Sequence, residues 1–220
     1  IGTNLYGEHK FKRTTWFDFF EDLIIPSIQD NIIYNEPVSR VDYGTSVVEV
    51  ITENMNLYQP DKVILTVPLT ILQQELIEFA PSFPADKVAA LNQVDMTPGF
   101  KAFIRFSERF YPDMFASGLD LLYGDADPKI YYDAAFRKEA NQHVLGLFSV
   151  GSPAGELSAL GNEADQLAAI LAELDSFFDG KASQFYEAHA IQDWTNEPYV
   201  RGSYSFYGNN AVEVQNTLAA

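Results

Sequence analysis

After a mixed polar lead-in (Glu8, His9, Lys10, Lys12, Arg13), the first strong pattern is helical. Trp16, Phe19, Phe20, Leu23 and Ile24 fall at i, i+3, i+4, i+7 and i+8, which predicts one apolar helix face. Thr15 supplies an N-cap, and Asp18 three residues on makes an acidic form of the capping box. Pro26 is expected to end or kink this helix, because it has no amide to donate. From residue 31 the period drops to two. Residues 31–34, 38–43 and 46–52 read as short strands, the last two joined through Gly44-Thr45 as a hairpin. A polar turn at 53–56 leads to 62–67, whose near-continuous apolar run predicts a strand buried on both faces. Pro68 stops that run and opens a helix to about Leu76.

Pro81 and Pro84 make a rigid corner, followed by a short helix over 87–94 opened by Ala85 or Asp86. Over 100–106 the alternation puts Phe100, Ala102, Ile104 and Phe106 on one side of a strand, and Lys101, Phe103 and Arg105 on the other. Further strands are predicted at 130–134, 143–150 and 185–192. The strongest helix spans 163–178, with Leu167, Ile170, Leu171, Leu174 and Phe177 on one stripe. After Asp193 the chain turns loop-like and aromatic. There is no internal repeat and no clear linker. Strands and helices in irregular order predict an α+β fold, a mixed β-sheet flanked by helices.

A length of 220 residues suits one large domain, and 47% hydrophobic with 20% charged residues excludes a disordered tail, a collagen and a coiled coil. Aromatic residues reach 14%, so rings build the core or a pocket. The formal net charge is −17, and from Glu139 onward Lys181 and Arg201 face eleven acidic residues. Such a field repels phosphate backbones, so no nucleic-acid partner is expected. With no cysteine, disulfide scaffolds, thiolate metal sites and cysteine nucleophiles are excluded. No apolar stretch approaches the roughly 18 residues of a membrane span. The start, Ile1-Gly2-Thr3-Asn4, shows no basic or apolar leader, so no membrane partner and a soluble, cytoplasmic chain are expected, read as a piece of something longer.

Few residues carry recognisable chemistry. His9, His143 and His189 lie far apart without ligand spacing, and Asp125-x-Asp127 between Gly124 and Pro128 is turn chemistry before it is a cation site, so no metal is expected. Ser203 lacks a G-x-S-x-G elbow, and no G-x-G-x-x-G or P-loop occurs. Lys101 stands among Phe100, Phe103 and Phe106. Buried, it would need a partner or a task, with its pKa lowered by desolvation; exposed, it would merely edge the sheet with Arg105. The stretch from Trp194 through Tyr199 and Arg201 to Tyr204 suits a planar or cationic ligand, or a loop pinned by aromatic anchors.

Four segments in order carry a resemblance. They are Pro37-Val38-Ser39-Arg40-Val41; Asp61-Lys-Val-Ile-Leu-Thr-Val-Pro-Leu69; Ile77-x-Phe79-x-Pro81-x-x-Pro84-x-x-Lys87 with Lys101-Ala-Phe-Ile-Arg-Phe106; and Trp194-x-x-x-Pro198-Tyr199-x-x-Gly202-Ser203-Tyr204. Together they resemble the flavin-containing amine oxidoreductases, which include monoamine, polyamine and L-amino-acid oxidases and the flavin-dependent histone demethylases. The likeness runs over about 31–106 and 186–208. It implies that Lys101 hydrogen-bonds through water to flavin N5, that Trp194 and Tyr199 pack beside the isoalloxazine, and that Tyr204 is one wall of a cage orienting a neutral amine. It places the Val38 backbone near the adenine of FAD. Ser203 stands where monoamine oxidases carry a cysteine bonded to the cofactor, which implies non-covalent FAD.

The family's G-x-G-x-x-G unit and its C-terminal Gly-Glu segment have no counterpart, and Arg13-Thr14-Thr15-Trp16 replaces a Gly-Gly pair. The resemblance therefore implies a single substrate-binding-type domain over 1–220, with the Rossmann half absent. It divides into an entry segment and helix (1–30), strands adjoining the FAD side (31–68), sheet and helices (69–192) and an aromatic flavin-facing loop (193–220). The parent protein would oxidise a small amine to an imine by hydride transfer to FAD, with reoxidation by oxygen. This portion alone would be inactive, would lack FAD and would self-associate through its exposed flavin-facing surface. Related desaturases and porphyrinogen oxidases are an alternative, which the Trp194 to Tyr204 loop disfavours; a non-catalytic binding or assembly module is another.

Overall fold

The computed structural model describes residues 11, 13–112, 121–123, 129–136, 138–139 and 142–219. Helix α1 (Trp16–Phe19) starts at the expected capping box: the Thr15 hydroxyl accepts from the Asp18 amide at 3.1 Å, and the Asp18 carboxylate accepts from the Thr15 amide at 2.8 Å. The chain does not stop at Pro26. It widens into a π-helical turn (Phe20–Ile24), resumes as α2 (Ile25–Ile28) and tightens to a 3-10 turn at Gln29–Asn31. The wide turn lets Pro26 sit in the first turn of a new helical segment, where a missing amide costs nothing. None of these helical residues is buried, and Trp16 is 65% exposed. The apolar stripe packs mainly on itself, Trp16 lying 5.1 Å from Phe11 and 5.6 Å from Phe19 between ring centroids. The strand expected at 31–34 is absent, and Ile33 and Tyr34 are exposed.

The first sheet has the order β3-β2-β1-β4, from β1 (Val38–Asp42), β2 (Glu49–Thr52), β3 (Leu57–Tyr58) and β4 (Glu78–Ala80). β1 and β2 form the expected antiparallel hairpin, while β4 runs parallel to β1. Helix α3 (Leu69–Gln73) begins directly after Pro68 and, with Val41 and Ile77, buries Ile71 in a small core. The buried strand predicted over 62–67 does not form. No described strand pairs with it, and Ile64 is 88% exposed. Strand propensity is realised only against neighbouring strands, and none is offered here.

Helix α4 (Ala85–Leu91) and strand β5 (Val94–Met96) lead into the main sheet. Its strands are β6 (Gly99–Phe106), β7 (Leu121–Tyr123), β8 (Lys129–Asp133), β9 (His143–Val150) and, after α5 (Ser152–Ala159), α6 (Glu163–Phe178) and α7 (Lys181–Phe185), β10 (Tyr186–Asp193). The order is β10-β6-β9-β8-β7, every neighbour antiparallel. β11 (Ser205–Tyr207) pairs β5, and α8 (Ala211–Ala219) follows. The predicted alternation of β6 is realised: Phe100, Ala102, Ile104 and Phe106 face Leu145, Leu147, Ile170, Leu174 and Leu157 in the main core. Each fully buried Ile or Leu there contributes on the order of 1.5–3 kcal/mol. Helices α5 and α6 cover this face only, so Lys101, Phe103 and Arg105 are left exposed on the other. Sheets flanked by helices are the expected architecture; the mixed sheet is the smaller one.

Candidate functional site

Antiparallel register arranges the open face of the main sheet in rows. One row runs Ile130, Phe148, Lys101, Gln192 across β8, β9, β6 and β10; the next runs Tyr132, Gly146, Phe103, Ala190. Lys101 therefore stands on an interior strand, so it does not edge the sheet. It is also exposed rather than buried. Its ammonium lies 5.8 Å from the centroid of Phe148, within cation–π reach. Phe148 in turn stacks on Tyr204, with centroids 6.1 Å apart and planes 30° apart. In the neighbouring row Phe103 meets Tyr132 edge to face at 6.4 Å. Gly146 separates those two rings, and a Cβ there would overlap the Tyr132 ring, which lies across the strand. Burial pushes the Tyr132 phenol up from its ordinary pKa of 10.0. Arg105, at the rim, is paired with Glu187 at 3.1 Å.

Tyr204 reaches this platform because the loop after β10 is tied down by polar groups. The Asp193 carboxylate accepts from the Ser158 hydroxyl at 2.8 Å, the Asn196 side-chain amide at 2.9 Å, the Gln166 amide at 3.2 Å and the Thr195 backbone at 3.1 Å. The Gly99 amide donates to the Thr195 hydroxyl at 3.0 Å, Ser203 N donates to Thr97 O at 2.8 Å, and Thr97 N donates to Tyr204 O at 3.1 Å. Arg201 donates to Gln74 at 2.6 Å. Gly202 sits at φ +136°, where a side chain would also strike Met96, so the bend needs glycine. The Ser203–Tyr204 peptide is cis.

Polar anchors do the pinning, and the rings are left over: Tyr199 and Tyr204 are each 57% exposed and Trp194 is half-buried. Of the residues singled out in the sequence, Lys101 and Tyr204 converge through Phe148. Trp194 and Tyr199 lie in the same loop but make no ring contact among the described residues. Val38 lies in the other sheet, opposite Thr52. Phe148, Tyr132 and Asp193 were not singled out. The Asp193-Trp-Thr-Asn196 run is an Asx-turn signal that could have found the last.

No cluster of His, Asp or Glu fit to hold a metal occurs among the described residues. His189 bonds Tyr186 at 2.6 Å and Glu163 at 3.1 Å, a structural arrangement, while His9, Asp125 and Asp127 lie outside the described residues.

The sequence model of the family described as flavin containing amine oxidoreductase matches residues 22–215. The chain belongs to the flavin-containing amine oxidoreductase family. Polyamine oxidase 7 of Oryza sativa subsp. japonica is 37% identical over 79 residues, covering 36% of this chain and 17% of that protein. Polyamine oxidase 1 of Zea mays is 26% identical over 173 residues, covering 78% and 34%. The human peroxisomal N(1)-acetyl-spermine/spermidine oxidase is 26% identical over 205 residues, covering 81% and 40%. Among solved structures, wild-type putrescine oxidase bound to putrescine aligns with a TM-score of 0.64 at 21% identity, over 83% of this chain and 39% of that one, a likeness of fold. The chain thus spans 17% to 40% of the lengths of these curated relatives.

The residues present fit part of the family's flavin. The Phe148 and Tyr204 rings, with one ammonium beside them, suit a planar ring with a polar edge. A glycine-rich phosphate cradle is not among the motifs of this sequence. The fit is to the ring end of FAD.

Proposed function

We propose that this chain is the substrate-side portion of an FAD-dependent amine oxidoreductase, a single substrate-binding-type domain over 1–220. The observation that carries the reading is the meeting of Lys101 and Tyr204, distant in sequence, at Phe148. When bound, FAD supplies the two-electron acceptor for oxidation of an amine C–N bond to an imine, with oxygen as the final oxidant. Lys101 presents its ammonium as a hydrogen-bond donor at the ring edge, through water. Tyr204 and Phe148 form a cage wall that orients a neutral amine. Trp194 and Tyr199 flank the ring, and the Val38 backbone meets the adenine end. Ser203 offers a hydroxyl where a covalent link would need a thiolate, so FAD is held non-covalently, and only weakly without a phosphate cradle. The same exposed face favours self-association of the chain alone, and the negative charge favours small amines over nucleic acid in a cytoplasmic setting.

The test has two parts. Flavin titration of the chain, followed by flavin absorbance and tryptophan emission, should show binding that Tyr204→Ala weakens. In the complete flavin-loaded protein, Lys101→Met should slow flavin reduction or reoxidation by at least about tenfold, or ~1.4 kcal/mol. Unchanged half-reactions would remove Lys101 from the chemistry, and flavin binding indifferent to Tyr204 would remove the platform.

A further inference from the structure

Beside the Lys101 row, the open sheet face forms the floor of a cavity of about 440 Å³. Phe103 and Tyr132 line it from the sheet, and Phe11 and Trp16 from the N-terminal segment. Among the described residues its lining holds one charged side chain, Lys138, and no carboxylate. Lys138 is half-buried, and among the described residues its ammonium makes no ion pair. Lys138 acts electrostatically on the Asp18 carboxylate, one oxygen of which accepts from the Thr15 amide at 2.8 Å and the Thr14 hydroxyl at 3.0 Å. A second cation entering this cavity would meet like charge at Lys138, with no carboxylate among the described lining residues to pair it. An aromatic or alkyl body instead meets four rings.

The spacing fits one ligand. At about 3.3 Å per residue, Phe103 lies roughly 7 Å along β6 from Lys101, and the Arg105–Val144 row roughly 13 Å. An amine nitrogen held at the Lys101, Phe148 and Tyr204 end would place a short arm and a ring over Phe103 and Tyr132.

We infer that this cavity receives the uncharged far end of an aryl- or alkyl-substituted monoamine, and that Lys138 is a specificity residue excluding amines with a second cation. The inference rests on the proposed function for where the amine nitrogen sits. It sets this chain apart from relatives whose names describe polyamine substrates.

The test needs no flavin, so its failure is distinct from failure of the flavin reading. Trp194→Phe leaves Trp16, in the cavity wall, as the sole tryptophan. In that background the chain is titrated with 3-phenylpropylamine and with spermidine, reading Trp16 emission. The arylamine should bind saturably and at least about tenfold more tightly than spermidine, which corresponds to ~1.4 kcal/mol. Lys138→Glu should close or invert that ratio by strengthening spermidine, and Phe103→Ala should weaken the arylamine while thermal melting stays cooperative. Equal or tighter spermidine binding, absent arylamine binding, or a ratio unmoved by Lys138→Glu would each overturn the inference.

Discussion

Strand β6 does two jobs with alternate residues. Toward α5 and α6, Phe100, Ala102, Ile104 and Phe106 are each at most 2% exposed. Toward the other side, Lys101, Phe103 and Arg105 stand in the open, and Phe103 is 41% exposed. Both faces share one backbone and one set of ladder hydrogen bonds, so their difference lies entirely in what covers them. A sheet in a water-soluble domain does not need its second face apolar, yet this one carries Phe103, Tyr132 and Phe148 there. A strand locked into a core on one side can hold the side chains of its other side in fixed geometry, which is what the proposed site needs.

Substitutions on the two sides should separate stability from binding. The largest loss is expected at Ile104→Ala, where removal of a fully buried side chain should cost roughly 2–5 kcal/mol, read by urea unfolding. Gly146→Val is intermediate. Its side chain would occupy the space of the Tyr132 ring, and displacing a packed ring should cost about 1–3 kcal/mol and disturb the floor of the cavity at the same time. Lys101→Met should shift unfolding by less than about 0.5 kcal/mol, since its side chain is exposed, while flavin chemistry falls. An unfolding shift at Lys101→Met as large as that at Ile104→Ala would erase the distinction between the faces.

The sequence is legible where a segment finds its partner inside the chain. The period-two pattern of 100–106 and the stripe of 163–178 reproduce β6 and α6 because β9, β10 and the core complete them. The pattern of 62–67 is equally plain but forms no strand, since a fully apolar strand needs neighbours and no described strand provides one. The stripe Trp16 to Ile24 fails similarly: periodicity tells which residues share a face, not whether anything lies beneath it. At the site, Lys101 and Tyr204 were legible through resemblance. Phe148 was not, because an aromatic residue in a predicted strand reads as core until the register shows which face it takes. The polar tethers of Asp193 run to Ser158 and Gln166, and such long-range pairs leave no local signal.

The smallest expected effect tests the edge of the open face. Thr14, Thr15 and Trp16 line the cavity, and Asp18 holds that end through the capping box. Hydrogen bonds from Thr15 and Thr14 keep the Asp18 carboxyl below its ordinary pKa of 3.8, with Lys138 adding to the effect. A carboxylate held down in the folded state favours that state at pH above 3.8, and its contribution fades as pH falls through the lowered value. Other charged groups on these elements are Arg13 and Glu139, paired at 2.7 Å, and Glu21 and Asp22 on the following helical turn. In the Trp194→Phe background, acid titration should therefore shift Trp16 emission below pH 3.8 before the main core unfolds, and Asp18→Asn should remove that early phase. If Trp16 emission and far-ultraviolet circular dichroism change together at every pH, the cap is not an independent element and the two faces respond to acid as one.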